Sequence, residues 1–394
     1  MQPLQGLTVV TLEHAIAAPF ATRQLADLGA RVIKIERPGV GDFARGYDQR
    51  VRGMASHFVW TNRSKESLTL DVKHPEAARL LRRLVLEKAD VVVQNLAPGA
   101  AARLGMDYPA LSGHKPAIIV CDISGYGGDG PYRDKKAYDL LIQSEAGFVS
   151  VTGTADEPCK AGASIADIAA GMYAFSNILA ALIERSRTGR GRHIDISMLE
   201  SLTEWTSYPL YYALDGAAPP PRTGAAHATI YPYGPFPTGA DGGSVMLGLQ
   251  NEREWVNFCE KVLMQPALAL DPRFSGNAQR VAHREVLHAL IVEACRPLTA
   301  PQLIERLEAA QIANARVNTM HEVWEHPQLK ARGRWREVGS PVGPLPALLP
   351  PGSWDDGDPR LDPVPALGQH TEAILAELGL DAAAIEALRA EAAI

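Results

Sequence analysis

Apolar positions along the chain repeat with two periods. Between residues 161 and 185, Ile165, Ile168, Met172, Phe175, Leu179 and Leu182 recur at spacings of three and four, which predicts an amphipathic helix. Ser164 stands at the N-cap position before the run, and Asp167 falls in the first turn. Beside it Ala170, Gly171 and Ala174 carry almost no side chain, which implies a notch under the carboxylate open to another chain or a ligand. The plain reading of a first-turn acid is that it complements the helix dipole, which would keep it ionised.

Upstream the period changes. Residues 7–13 and Arg31–Glu36 read as buried strands, and a helix between them opens at Pro19, runs through Leu25 and Leu28 and stops at Gly29. Such a β-α-β unit implies parallel strands and a right-handed crossover. Ser67–Leu70, Val91–Gln94, Ala117–Asp122 and Ile194–Ser197 add short strands, and Pro75–Lys88 a helix. The fold class is α/β, with a Rossmann-like, mostly parallel open sheet. Asp215 to Pro221 has linker composition, a strand at Ser244–Leu249 follows, and helices run to about residue 312. Residues 340–367 are dense in proline and glycine and read as an extended strap, ahead of helices at Thr371–Leu378 and Ala382–Ala393. The expected organisation is a large domain begun by residues 1–215, a smaller α+β domain at 222–325, and a return to the large domain over 326–394.

Composition narrows the classes. The 394 residues are 46% apolar and 21% charged, as in ordinary globular proteins. A net charge of −6 gives no general attraction to nucleic acid or an anionic membrane. Four cysteines without a C-x-x-C pair speak against zinc and redox motifs and fit a reducing cytoplasm. There is no signal pattern and no apolar run near membrane-spanning length, so a cytoplasmic protein with no membrane, nucleic-acid or metal partner is expected. Glu36 ends a strand where dinucleotide folds keep a ribose-binding acid. The loop His14–Pro19 lacks G-x-G-x-x-G, however, which disfavours NAD. His321 and His326 stand five apart, off a common helical face.

Several short motifs then fall into one order. They are Ala26-Asp-Leu-Gly-Ala30 leading into Val32-Ile-Lys-Ile-Glu-Arg37, Asn62-Arg63 before Ser67–Lys73, and Asn95-Leu-Ala-Pro-Gly99 with Arg103-Leu-Gly105. Ser124-Gly-Tyr-Gly127, Lys136-Ala-Tyr-Asp139, the Asp167 helix, Asp195–Leu199 and Leu367-Gly-Gln-His370 complete the series. In this order, over nearly the whole chain, the sequence resembles the class III CoA-transferases. The resemblance implies a large Rossmann-like domain, a small domain and an interlocked homodimer. It makes Asp167 the catalytic aspartate. It implies that Ala15, Ile16, Ala17, Arg37, Leu70, Lys73, Asn95, Leu96, Ala97, Arg103, Lys136, Tyr138 and Asp139 line a site for coenzyme A thioesters. These are substrates, and no permanently bound cofactor is implied. Formyl-transferring members have glutamine where Ile16 stands and a glycine-rich loop where Gly224-Ala-Ala-His227-Ala228 stands, which argues against oxalate and formate.

Moving CoA from a thioester to a free carboxylate requires a nucleophile able to carry an acyl group, and a carboxylate suits this. Small neighbours of Asp167 would admit the thioester carbonyl, backbone N–H groups at 15–17 or 224–228 would stabilise the oxyanion, and residues 224–236 would cover the site. Arg37, Lys73, Arg103 and Lys136 would meet phosphates. The segment from His227 to Phe236 resembles the subgroup that uses succinyl-CoA and dicarboxylates, which implies a C4–C6 dicarboxylate acceptor, itaconate or a close C5 relative. Arg45, Arg50, Gly224 and His227 are the candidates for holding that acid, one of the cations taking its distal carboxylate. Intramolecular C1-to-C4 transfer on mesaconyl-CoA uses the same chemistry. A 2-methylacyl-CoA racemase is the alternative from another class, but the histidine its Gly-His-Asp triplet needs is here Tyr138. A non-catalytic CoA-binding scaffold is the third reading.

Overall fold

The structure, a computed structural model, describes residues 2–352 and 358–394. Residues 353–357 of the expected strap lie outside the described residues. The chain divides into two compact units, one of residues 1–148, 161–207 and 329–394, the other of 149–160 and 208–328.

The first unit follows the alternation of buried residues. In order it contains β1 (Thr8–Leu12), α1 (Ala17–Asp27), β2 (Arg31–Glu36), α2 (Ser56–Asn62), β3 (Lys65–Thr69), α3 (Pro75–Lys88) and β4 (Val91–Gln94). Then come α4 (Ala100–Arg103), α5 (Tyr108–Ser112), β5 (Ile119–Ser124) and α6 (Asp139–Glu145). After α7 (Phe148–Val151), where the chain passes to the second unit, it returns with α8 (Ile165–Thr188), β6 (His193–Ser197) and α9 (Met198–Trp205). The six strands are parallel, in the order β3-β2-β1-β4-β5-β6, with Val9 level with Val32 on one side and Val91 on the other.

Because strand side chains alternate between faces, each strand feeds two cores. Val9, Val32, Val91, Val93, Ile119 and Cys121 meet α1 and α8 on one face. Val10, Leu12, Ile33, Ile35, Leu68, Val92 and Val120 meet α3 and the C-terminal helices Thr371–Glu377 and Ala382–Ala390 on the other. On the first face the carboxyl ends of β1 and β2 turn from apolar to charged, through Thr11, Glu13, Lys34 and Glu36, all buried.

Helix α8 has 24 residues and is long and apolar enough to cross a membrane by length and composition, against the expectation that no run reaches that length. Its buried face (Ala166, Ala169, Ala170, Gly171, Ala174, Ile178 and Ala181) is committed to this core. The small-residue stripe is therefore no open notch, because α1 fills it. A Cβ built on Gly171 would lie 2.7 Å from the Ala17 carbonyl oxygen and 2.9 Å from the Phe20 ring. Gly171→Ala should push the two helices apart and cost about 1–3 kcal/mol, read as a lower midpoint in urea.

The segment read as an extended strap begins with β11 (Leu345–Leu348), which pairs antiparallel with β10 (Trp335–Val338) just before it, and then returns along the edge of the sheet. Ser64 donates to Asp362 O, Gly368 donates to the Ser67 hydroxyl, and His370 donates to Ser67 O. The second unit is built around an antiparallel sheet, β7 (Tyr233–Pro237), β8 (Ser244–Gly248) and β9 (Ala313–Arg316). Trp255, Phe258, Phe274, Leu287, Leu303 and Leu307 pack with it.

Candidate active site

In an open parallel sheet the strand order reverses once, and ligands bind outside the carboxyl ends of the strands at that point. Here the reversal lies between β1 and β4. The chain leaving β1 is held by its neighbours. Asn95, after β4, accepts from the His14 N–H at 2.9 Å and donates to the His14 carbonyl at 2.9 Å. Ala15 takes a left-handed conformation, φ 61°, and its N–H donates to Asp42 Oδ1 at 3.0 Å. This turn starts α1 at Ala17, two residues before Pro19. It brings the Ala17 N–H towards the Asp167 carboxylate, where it favours the charged form.

Asp42 is itself anchored in a cluster of buried charges. Lys34 Nζ contacts Asp42 at 2.7 Å and Glu13 at 3.2 Å, and Lys65 Nζ contacts Glu13 at 2.7 Å. Thr11 and Thr22 donate to the other Glu13 oxygen. Burial alone would raise the Glu13 carboxyl, but the two ammonium groups overcome it and hold it down at about 2. Burial opposes the Lys34 charge as well, and Glu13, Asp42 and Glu36 outweigh that and raise it.

Asp167 is part-buried in the first turn of α8. Ser164 occupies the N-cap position, yet its side chain makes no capping bond. Asp139 supplies the cap from the start of α6: its Oδ1 accepts from Ala166 N at 2.8 Å and Asp167 N at 3.3 Å. Its Oδ2 accepts from Gln143 Nε2 at 2.6 Å, and Gln143 Oε1 accepts from Ala161 N at 2.9 Å. The helix start was expected to keep Asp167 ionised near neutral pH, and its surroundings oppose that. Burial first, and the Asp139 charge second, push its carboxyl up to about 7, while the Ala17 N–H pulls the other way. Desolvation and a like charge outweigh the helix dipole.

The residues expected around CoA lie largely on this rim. Ala15, Ile16 and Ala17 form the loop just described. Arg37 follows β2, exposed, with its guanidinium 4.8 Å from the Phe43 ring centre, and Phe43 packs on His14 at 4.9 Å. Lys73 is exposed after β3, Leu96 and Ala97 follow β4, and Arg103 is exposed in α4 over Gly99. Lys136 and Tyr138 are exposed before α6. Three expectations change, the first at Asp139, whose carboxylate is taken up by the cap of α8 and by Gln143. Leu70 is buried in the core, its N–H bonded to Glu36 O, so its side chain supports the rim from below. Asn95 spends its amide on His14 and shapes the loop.

The anion-holding candidates separate. Arg45 is occupied: it bridges Glu36 at 2.8 and 2.7 Å and lies 3.7 Å from the Phe58 ring centre. Arg50 is exposed in the turn after Asp48, and no partner for its guanidinium is found among the described residues. In the second unit His227 Nδ1 accepts from the N–H groups of Thr229 and Ile230, and its ring stacks on Tyr233 at 5.3 Å. That makes it a turn-forming residue. Gly224, φ 63°, donates to Gly153 O at 2.7 Å.

Sequence reasoning missed Tyr47, which lies within electrostatic reach of Asp167. Partial burial, then the charges of Asp42 and Asp167, raise its phenol. Nothing in the sequence singled it out; its 50% exposure is visible only in the structure.

Comparison with known proteins bears on this geometry. Residues 4–371 match the model of CoA-transferase family III. The chain is 36% identical over 386 residues to the succinate–glutarate CoA-transferase of Agrobacterium fabrum, covering 95% of this chain and 96% of that protein. It is 34% identical over 394 residues to the succinyl-CoA:glutarate CoA-transferase of Mus musculus, covering 98% and 89%. A crystal structure of a CAIB/BAIF family protein from Brucella suis superposes with a TM-score of 0.84 at 36% identity, over 96% of this chain and 99% of that one.

Proposed function

The chain belongs to CoA-transferase family III, and from that premise we propose that it moves CoA from succinyl-CoA to a C5 dicarboxylate through a thioester on Asp167. The observation that carries this reading is the Asp167 carboxylate in the first turn of α8, the turn whose N–H groups Asp139 caps. The relatives named for glutarate, a C5 dicarboxylate, support the acceptor class. Itaconate is of the same class.

In this reading an Asp167 oxygen attacks the succinyl-CoA carbonyl, the C–S bond breaks, and CoA thiolate leaves a mixed anhydride. The thiolate attacks the aspartyl carbonyl and expels succinate, leaving aspartyl-CoA. The acceptor carboxylate displaces CoA to form a second anhydride, and the returning thiolate releases the new acyl-CoA and the free carboxylate. A carboxyl near neutrality is a stronger nucleophile once ionised than an ordinary aspartate. The Ala17 N–H, which favours the charged form of that carboxylate, is the donor this reading assigns to the charge that develops on its oxygen. Arg37, Lys73, Arg103 and Lys136 surround this rim as partners for CoA phosphates. The four free cysteines accord with work in the reducing cytoplasm.

Offering succinyl-CoA with glutarate, itaconate, mesaconate, citramalate and oxalate, and identifying the CoA products by mass, tests the reading. A C5 acyl-CoA is expected; oxalyl-CoA alone, or no transfer, contradicts it. Arg50 is the cation proposed for the distal carboxylate. Arg50→Ala should raise the acceptor KM roughly tenfold and leave that for succinyl-CoA within about twofold.

A further inference from the structure

The cap on α8 is unusual in its source. A neutral side chain already sits at the N-cap position, and an N-cap normally accepts from the backbone N–H groups just beyond it. Ser164 does not do so. The bonds come instead from a carboxylate 28 residues earlier, which reaches the N–H of Asp167 itself. This carboxylate is not free to turn away. Gln143, fully buried, grips its second oxygen and is in turn gripped by Ala161 N–H. A negative charge is thus fixed against the turn that bears the nucleophile, where a hydroxyl would satisfy the same donors.

We infer that Asp139 is a positioning residue: it caps the helix that carries Asp167 and, by its charge, sets the pH at which that nucleophile becomes active. The inference rests on Asp167 being the nucleophile. The helix N-terminus favours an anion at Asp167; a second carboxylate on the same N–H groups cancels that field and adds repulsion of its own. The result fits the chemistry: an acyl-accepting carboxylate needs basicity, and an aspartate at an open helix start would lose it.

Among the described residues, the other elements packed on α8 bring no competing charge to this turn. Arg23 and Asp27 on α1 pair with each other, and Asp122 on β5 pairs with His193 on β6. Asp195 accepts from Gly128 N–H, and Glu145 of α6 pairs with Lys135. Glu200 and Glu204 on α9 are not among the charges that act on Asp167. The phenols of Tyr47 and Tyr138 are the remaining titratable neighbours.

The test uses Asp139→Asn and Asp139→Ser in the full chain, the second because the Asn amide would face the Gln143 donor. Two readouts are taken: the pH dependence of kcat/KM, and an infrared carboxyl titration of the free enzyme with the Asp167→Asn spectrum subtracted. In the wild type both should show a midpoint near 7. Either neutral variant should lower both midpoints by about one unit, with a reduced plateau in kcat because a less basic carboxylate attacks more slowly. Gln143→Met loosens the same turn but keeps the charge, and should hold the wild-type midpoint. An unmoved midpoint in a folded neutral variant overturns the inference, and so does an equal fall in Gln143→Met. The infrared titration needs no turnover, so failure of Asp167 as nucleophile would show separately, as full transfer activity in Asp167→Asn.

Discussion

Asparagine at position 167 should lower CoA transfer by at least about 10³-fold while the protein stays folded. The substitution keeps the size of the side chain and the backbone N–H that donates to Asp139. What it removes is an oxygen that can attack a thioester and then carry the acyl group. No neighbour supplies a substitute in the same position: Asp139 holds Ala166, Asp167 and Gln143 with both oxygens, and Tyr47 carries a phenol raised further from ionisation. Steady-state rates with succinyl-CoA and glutarate, beside a thermal melt, would measure it. A folded variant that retains more than a tenth of the wild-type rate contradicts the role given to this carboxylate.

The second large effect is on stability. Lys34→Met should cost about 3–5 kcal/mol, because it leaves Glu13 and Asp42 buried without the ammonium group between them. The pH dependence follows from the depressed Glu13 carboxyl. Its folded value, about 2, lies below that of the unfolded chain, so it contributes stability above the unfolded value and loses it as pH falls towards 2. The gap between wild type and variant should therefore be widest at neutral pH and narrow as the solution is acidified. Urea melts at pH 7 and pH 4 would read both features, and a loss under about 1 kcal/mol at pH 7 would show that the cluster contributes little. The variant also frees the Asp42 side chain that holds Ala15 N–H, so transfer should suffer before the protein unfolds.

Much of the first unit was legible because its information is local. Residues 75–88 carry a proline at the start, a lysine at the end and apolar positions between, and the helix spans Pro75–Lys88. The strand at Val91–Gln94 is bounded as the run of valines indicates. β9 and β10 were not foreseen: Ala-Asn-Ala-Arg and Trp-Arg-Glu-Val lack a clear alternation, and each is defined by its pairing, β9 with the distant β8 and β10 with the next strand, β11.

The site divides along the same line. Asp167 was visible from its helix and from motif order. Its protonation was not, because burial, the larger cause, comes from tertiary packing, and Asp139, the second, lies 28 residues away and was read as lining the CoA site. Small side chains at 170, 171 and 174 mark either an open notch or a close helix contact, and only the position of α1 decides for the contact. Arg45 looked as available as Arg50 until Glu36 was seen to hold it.

The most direct test of the central claim is to mix the enzyme with succinyl-CoA without acceptor, digest it, and weigh the peptide that contains Asp167. The account predicts that this peptide gains the mass of CoA less water, loses it to hydroxylamine, and keeps an aspartyl hydroxamate at position 167. Productive turnover with that peptide unmodified, or with the adduct confined to another, would contradict it.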